Sequence, residues 1–299
     1  MTELGKIVDK LKDGSVLVSD GAWGTSLQSM GLEAGECPEL WCLERPQDVL
    51  AVARSFIEAG ADMIQANSFG GTRFKLEHYG LAERVSEINE AAAHLSREAA
   101  GDDHWIIPSV GPTGKMLVMG DVTEDDLYKA FTEQVVALER GGANAVCVET
   151  MSDIAEAVTA IRAAKENTDC EIISTFTFEQ TVQGDYKTMM GTSPSEAIPA
   201  ALDAGADIIG TNCGNGIKGM VDIVNEIKNV APKSFILVHA NAGLPENING
   251  EDVFPETPGD MAAQIPALIK AGVNIIGGCC GTTPAHVSAV KQAVTQAIA

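Results

Sequence analysis

Positive charge and aromatic residues are scarce in this chain. Its 299 residues hold 20 Lys and Arg against 42 Asp and Glu, a net charge of −22, and only three Trp, three Tyr and eight Phe. Such an acidic chain offers no basic patch of the kind that nucleic-acid recognition needs. It is also repelled by anionic membrane surfaces, so the charge serves first to keep the protein soluble. No apolar run approaches the roughly 18 residues of a membrane helix. The opening Met1-Thr2-Glu3-Leu4-Gly5-Lys6 lacks the charged-then-apolar pattern of a secretory signal. The seven cysteines are odd in number and irregularly spaced, unlike a disulfide framework. These absences describe a reduced, cytoplasmic protein with no nucleic-acid or membrane partner. With 45% hydrophobic residues, the chain can bury a large core, and we expect one domain over residues 1–299.

What is present is an alternation of apolar strands and amphipathic helices. One signature recurs, a helix running through a small-residue turn into a strand: Ala59-Gly60-Ala61-Asp62, Gly141-Gly142-Ala143-Asn144, Ala204-Gly205-Ala206-Asp207 and Ala271-Gly272-Val273-Asn274. Glycine just past a helix supplies a left-handed cap, and the apolar residues that follow begin a buried parallel strand. Eight strands are predicted, at 16–19, 63–66, 105–109, 145–148, 172–177, 207–210, 235–239 and 274–277. The helices fall at 46–58, 82–99, 123–140, 154–165, 195–203, 219–228, 259–271 and 284–298. Eight such units in about 250 residues is the size of an α/β fold of the (β/α)8 TIM barrel type. An open doubly wound sheet would more often carry Gly-x-Gly-x-x-Gly after its first strand; Asp20-Gly21-Ala22-Trp23-Gly24-Thr25 does not match. The loop over 244–258, with Pro245, Gly250, Pro255 and Pro258, is long enough to act as a lid.

Polar residues gather where strands end, which is where barrel active sites are built. The eighth strand runs into Gly277-Gly278-Cys279-Cys280-Gly281-Thr282-Thr283 and the sixth into Gly210-Thr211-Asn212-Cys213-Gly214. Neighbouring side chains of a regular strand face opposite ways, and glycines permit the bend that would turn both Cys279 and Cys280 to one side. Taken alone, an adjacent cysteine pair reads rather as a vicinal disulfide or as inert buried thiols. The repeated strand-Gly-Cys context of Cys213 shifts the reading to a zinc cradle of three thiolates with one position open, the form of a catalytic site. Such an electron-rich zinc activates water poorly but suits a further thiol, which it would deprotonate for alkyl transfer. Asp20 and Glu149, both at strand ends, are candidates to hold the amine of an amino-acid thiol; either could equally be a capping or loop carboxylate.

These motifs resemble the homocysteine S-methyltransferases, the family that includes the homocysteine-binding domain of cobalamin-dependent methionine synthase and betaine–homocysteine methyltransferase. The likeness runs from Ser19-Asp20-Gly21 to Thr283-Pro284-Ala285-His286, through Asn67-Ser68-Phe69-Gly70, Gly111-Pro112-Thr113-Gly114, Glu149-Thr150, Thr211-Asn212-Cys213 and Asn241-Ala242-Gly243-Leu244-Pro245. It lies closer to the methionine synthase domain. The resemblance implies a zinc held by Cys213, Cys279 and Cys280, with homocysteine sulfur taking the open position. Asp20 and Glu149 match positions that bind the ammonium group, and Asn212 is grouped with the substrate contacts. Asn241 matches a labile fourth ligand. Trp23, where a medium-sized residue is more usual, and Gly214-Asn215-Gly216 depart from the family pattern beside the expected pocket. The chain ends after its eighth helix, so we expect no folate or cobalamin module, and methylcobalamin would have to come on a separate corrinoid protein. S-methylmethionine or a betaine-like onium compound is the alternative donor. An onium donor calls for an aromatic box, for which only Trp23, Trp41, Phe69, Phe176 and Phe178 stand near the face. A different thiol, or a non-catalytic zinc- or thiol-binding protein, is the rival reading.

Overall fold

In the computed structural model, which describes residues 4–248 and 251–298, the eight strands are parallel and follow one another around a barrel. They are β1 (Leu17–Val18), β2 (Met63–Ile64), β3 (Trp105–Ile106 and Ser109–Val110), β4 (Ala145–Met151), β5 (Glu171–Phe176), β6 (Ile208–Gly216), β7 (Phe235–Asn241) and β8 (Ile275–Gly278). One continuous sheet runs β1-β8-β7-β6-β5-β4 to the second half of β3, and the first half of β3 pairs with β2. Pro108 lies where β3 divides, at a point where its missing N–H cannot serve a ladder. The helix 46–58 and the helix 284–298 occupy the predicted residues, and the other six lie within a few residues of prediction.

The recurring Ala/Gly-Asp/Asn signature proves to be a register clamp. In each copy a glycine takes the left-handed region, at φ 99° for Gly60, 105° for Gly142, 110° for Gly205 and 97° for Gly272. The Asp or Asn that follows then grips the strand before it twice. Its N–H donates to the carbonyl of Val18, Ile106, Ile172 or Ile236, and its side-chain oxygen accepts the N–H of the same residue at 2.8–2.9 Å. Asp62 thereby joins β1 to β2 where the two short strands make no regular ladder, and closes the barrel.

Inward and outward positions alternate along every strand. Val18, Ile64, Val146, Ile172, Ile209, Val238 and Ile276 pack in the large core with the helices. Leu17, Met63, Ala145, Ile173, Ile208, Leu237 and Ile275 form a separate cluster in the barrel interior, joined by Ile7 and Leu11 of the short helix Ile7–Lys12. Buried Glu171 holds that helix by accepting the N–H groups of Ile7 at 2.6 Å and Val8 at 2.9 Å. The floor of the barrel is therefore closed and, Glu171 apart, apolar, and the other polar inward residues appear nearer the C-terminal ends. Among the described residues no helix is long and apolar enough to cross a membrane. The loop 244–258 carries an antiparallel hairpin, Glu246–Ile248 with Glu251–Val253; residues 249 and 250 of the expected lid lie outside the described residues.

Candidate active site

Two bulges aim the site. Along β6, Asn212 pairs with His239 and Gly216 with Asn241, so four steps of β6 face two of β7. The surplus is absorbed at Cys213, whose φ of 58° is unusual for a residue with a side chain. A second bulge lies in β4, where Val148 and Met151 face Ser174 and Phe176, with Thr150 at φ 59°. The Asn212 side chain ties the two together. Its Oδ1 accepts the Thr150 N–H at 2.8 Å and the Thr175 hydroxyl at 2.7 Å, and its Nδ2 donates to Thr150 Oγ1 at 2.8 Å. Asn212 is thus fully buried and does not line the cleft, unlike the substrate contact expected of it.

After β8 the chain turns back, with the Thr282 N–H donating to the Cys279 carbonyl at 3.1 Å. A side chain at Gly278 would stand 2.2 Å from Thr282 Oγ1, and one at Gly281, where φ is 77°, would strike the ring of Phe254. The glycines are required for the bend, and the bend brings Cys279 and Cys280 to the same side as Cys213. The three sulfurs lie within 4.8 Å of one another, the one such metal-capable group among the described residues. A tetrahedral zinc with Zn–S near 2.3 Å needs sulfurs about 3.8 Å apart, so this triad fits the ion. In the protein alone, Cys279 and Cys280 donate to Cys213, which is held well below the ordinary thiol range, helped by the Gly214 N–H and the Asn241 amide. Cys279 and Cys280 are raised, chiefly by the same contact with Cys213. Asn241 stands at the triad, and its Oδ1 accepts the Cys280 N–H at 3.1 Å.

The triad opens into a cleft of about 330 Å³ whose walls include Trp23, Glu39, Gln65, Phe69, Ser109, Glu149 and His239, and no Lys or Arg. Glu149 is 7% exposed. One of its oxygens accepts the Ser109 hydroxyl in a short bond and the other accepts Gln65 Nε2 at 2.8 Å. Burial pushes its pKa up to about 7, against the pull of those two bonds. Asp20 lies elsewhere. It is fully buried, does not line the cleft, and accepts the Trp23 indole N–H and the Gln65 N–H, both at 2.7 Å, and the Ser19 hydroxyl at 3.0 Å. Burial raises it to about 6. Trp23 therefore stands at the cleft where Asp20 was expected, with Asp20 as its anchor. Of the five aromatics nominated from sequence, Phe176, Phe178 and Trp41 are buried elsewhere, and only Trp23 and Phe69 reach the cleft.

Gln65, Ser109 and Glu39 were not foreseen. The first two occupy inward positions of β2 and β3, and a polar residue inside an apolar strand was the signal available. Glu39 sits in an aperiodic segment and gave none.

A family model described as homocysteine S-methyltransferase matches residues 17–294. Among curated proteins, methionine synthase of Mycobacterium tuberculosis (strain ATCC 25618 / H37Rv) is 29% identical over 294 residues, covering 93% of this chain and 24% of the relative. Methionine synthase of Mycobacterium leprae (strain TN) is 29% identical over 295 residues, with 94% and 24% covered. The chain thus spans about a quarter of the length of these curated relatives. Among solved structures, the metallated homocysteine methyltransferase MmuM from Escherichia coli matches with a TM-score of 0.78 and 21% identity, over 95% of this chain and 98% of that one. Its oxidized form gives 0.77 and 21%, over 96% and 99%. These structures share the fold, and the matched residues take in every strand and all three clustered cysteines: the chain belongs to the homocysteine S-methyltransferase family.

Proposed function

We propose that this protein methylates the sulfur of homocysteine to give methionine, with Cys213, Cys279 and Cys280 holding a zinc ion at the head of the cleft. The observation that carries this reading is the convergence of three sulfurs from two strand ends onto a cleft whose wall presents the buried carboxylate of Glu149 and no Lys or Arg. Zinc bound there would supply a centre that strips the proton from an incoming thiol and keeps the sulfur electron-rich. The chain's own residues do the rest. Glu149, fixed by Ser109 and Gln65, receives the ammonium of the amino acid, and Asn241 stands ready at the triad as a weak, displaceable oxygen ligand. Asp20 is buried and takes the Trp23 indole N–H, so of the two carboxylates expected from the sequence Glu149 is the one at the cleft.

A methyl-corrinoid on a separate protein is the donor expected from the sequence, while the curated relatives' name, methionine synthase, supports methionine as the product. A second reading, a small onium donor, draws on the cleft itself, whose volume suits small molecules and whose walls are acidic. The test is homocysteine consumption by the zinc-loaded protein against a panel of donors, with and without a methyl-corrinoid protein. Absence of methionine with every donor would remove the proposal.

A further inference from the structure

The strand ends that meet at the cysteine triad are joined to one another by a residue that stands outside the cleft. Glu256 does not line the cleft, yet it touches the ends of β6 and β7 and the helix Pro284–Ile298 that follows β8. Its carboxylate lies against the far end of the β6 bulge: Oε2 accepts the Ile217 N–H at 3.3 Å, and a side chain at Gly216 would strike Oε1. Ile217 opens the helix Ile217–Val230, whose N-cap Gly216 has no side chain to serve the free N–H groups there. The Glu256 N–H donates to the Ala242 carbonyl at 2.9 Å, and the Ala242 N–H donates in turn to the Cys280 carbonyl at 3.0 Å. The Glu256 carbonyl accepts the N–H of His286 Nε2 at 3.0 Å. That tautomer follows from the other ring nitrogen, since Nδ1 faces the Thr283 N–H at 3.1 Å, a group that can only donate. Two residues earlier, Phe254 packs on the backbone just after Cys280, where a side chain at Gly281 would strike its ring. On the other side, Thr257 caps the helix Pro258–Ala271 through a reciprocal pair with Asp260, so Glu256 is held at a fixed helix end.

We propose that Glu256 and His286 are positioning residues for the metal: together they form a clasp that holds Cys213 at the distance from Cys279 and Cys280 that zinc retention requires. The proposal rests on the reading of the three cysteines as zinc ligands. Cys213 comes from one strand end and the other two from another, so neither end alone sets the spacing of the sulfurs. Cys213 also sits in a bulge at φ 58°, a conformation that persists only where contacts on both sides over-determine it. Asn212 anchors the side before it, through Thr150 and Thr175. Glu256 anchors the side after it, at Gly216 and Ile217. The same residue reaches the turn of Cys279 and Cys280 by two routes, through Ala242 and through His286. Freed from Glu256, the bulge relaxes toward ordinary backbone angles and carries the Cys213 sulfur away from the other two, while the apolar core between strands and helices keeps its packing.

The experiment follows zinc release to a chromogenic chelator from the zinc-loaded full chain, together with the thiolate-to-metal charge-transfer absorption of the cobalt-loaded protein. Glu256→Ala should release zinc about two- to thirtyfold faster than wild type, the effect of one lost hydrogen bond at a helix N-terminus, and its cobalt band should weaken as Cys213 withdraws. The melting temperature of the metal-free protein should be unchanged. Glu256→Gln, which keeps an acceptor for the Ile217 N–H, should hold both readouts at wild-type values. A role in anchoring the loop alone would move the melting temperature and leave the cobalt band as it is, which would overturn the proposal. His286→Phe should act in the same direction as Glu256→Ala, and the double variant should release zinc no faster than the stronger single one, because both cut one clasp. Equal release rates and equal cobalt bands in wild type and Glu256→Ala overturn the clasp while the zinc reading stands. Wild type that holds neither zinc nor cobalt overturns both. Should Glu256→Ala not fold, His286→Phe decides by the same two readouts: faster release with a weaker band supports the proposal, and wild-type behaviour overturns it.

Discussion

Replacing Glu149 by Gln tests the amino-acid end of the cleft, and the structure fixes both the size and the pH dependence of the effect. The carboxylate is buried with one hydrogen bond on each oxygen, and burial raises its pKa to about 7. A charge-assisted bond to an ammonium contributes about 1.5–3 kcal/mol, or about ten- to 150-fold in homocysteine affinity. The substituted glutamine would also turn an amide N–H₂ toward either Ser109 or the donor Nε2 of Gln65, so the loss should lie toward the upper end. The sign with pH follows from which form binds. Only the ionised carboxylate pairs with the ammonium, so its contribution is present above about pH 7 and falls about tenfold for each unit below it. The thiol of homocysteine has its own dependence near pH 8.5, but that is common to both proteins. The ratio of wild-type to Glu149→Gln affinity therefore isolates the carboxylate. Calorimetric titration of homocysteine at about pH 6, 7 and 8 should give a ratio that rises and then levels. A ratio near one, or one that stays flat across that range, would refute the assignment of Glu149 to the ammonium.

Three further outcomes are expected. Cys213→Ser should lose most of the roughly one zinc per chain expected of a single site while keeping its circular dichroism, because the barrel rests on its core; full zinc content would exclude Cys213 as a ligand. Zinc-edge X-ray absorption of the loaded protein should change from three sulfurs and one light atom to four sulfurs on addition of homocysteine, as Asn241 or another oxygen yields; a spectrum fixed at three sulfurs under saturating homocysteine would end the direct-coordination reading. Asp20 carries a buried charge that is raised from 3.8 to about 6, so its penalty on the fold is absent below about pH 4 and fully present above about pH 6, where it amounts to about 3 kcal/mol. Asp20→Asn should remove that penalty and flatten the melting temperature between those limits relative to wild type; parallel pH profiles for the two proteins would show that the raised pKa is wrong.

Much of the fold could be read because local signals and global architecture agree. The repeated Gly-Ala-Asp type turns were legible as helix caps, since glycine past a helix has a single strong meaning. Their second role, clamping the preceding strand through Asp62, Asn144, Asp207 and Asn274, was not, because it requires knowing which strand lies alongside. The clustering of the three cysteines was legible for a similar reason: Cys213, Cys279 and Cys280 each follow an apolar run at a strand end. The carboxylates were only half legible. Position after a strand identifies Asp20 and Glu149 alike, and nothing in a linear sequence says that Trp23 would cover the one and leave the other at the cleft.

The bulges mark where sequence reasoning stops and why. Cys213 and Thr150 take left-handed backbone angles without being glycine, a cost of about 1–3 kcal/mol each. No propensity encodes such a conformation, which survives only where surrounding contacts over-determine it. For Thr150 one side chain supplies those contacts: Asn212, the residue before Cys213, engages the Thr150 N–H, the Thr150 hydroxyl and the Thr175 hydroxyl from a fully buried position. The strain is local, and so is its effect. The bulge in β4 falls just after Glu149 at the cleft wall, and the bulge in β6 swings Cys213 out of its ladder toward the two cysteines after β8. Asn212 therefore ties the acidic end of the cleft to its sulfur end without touching what binds between them.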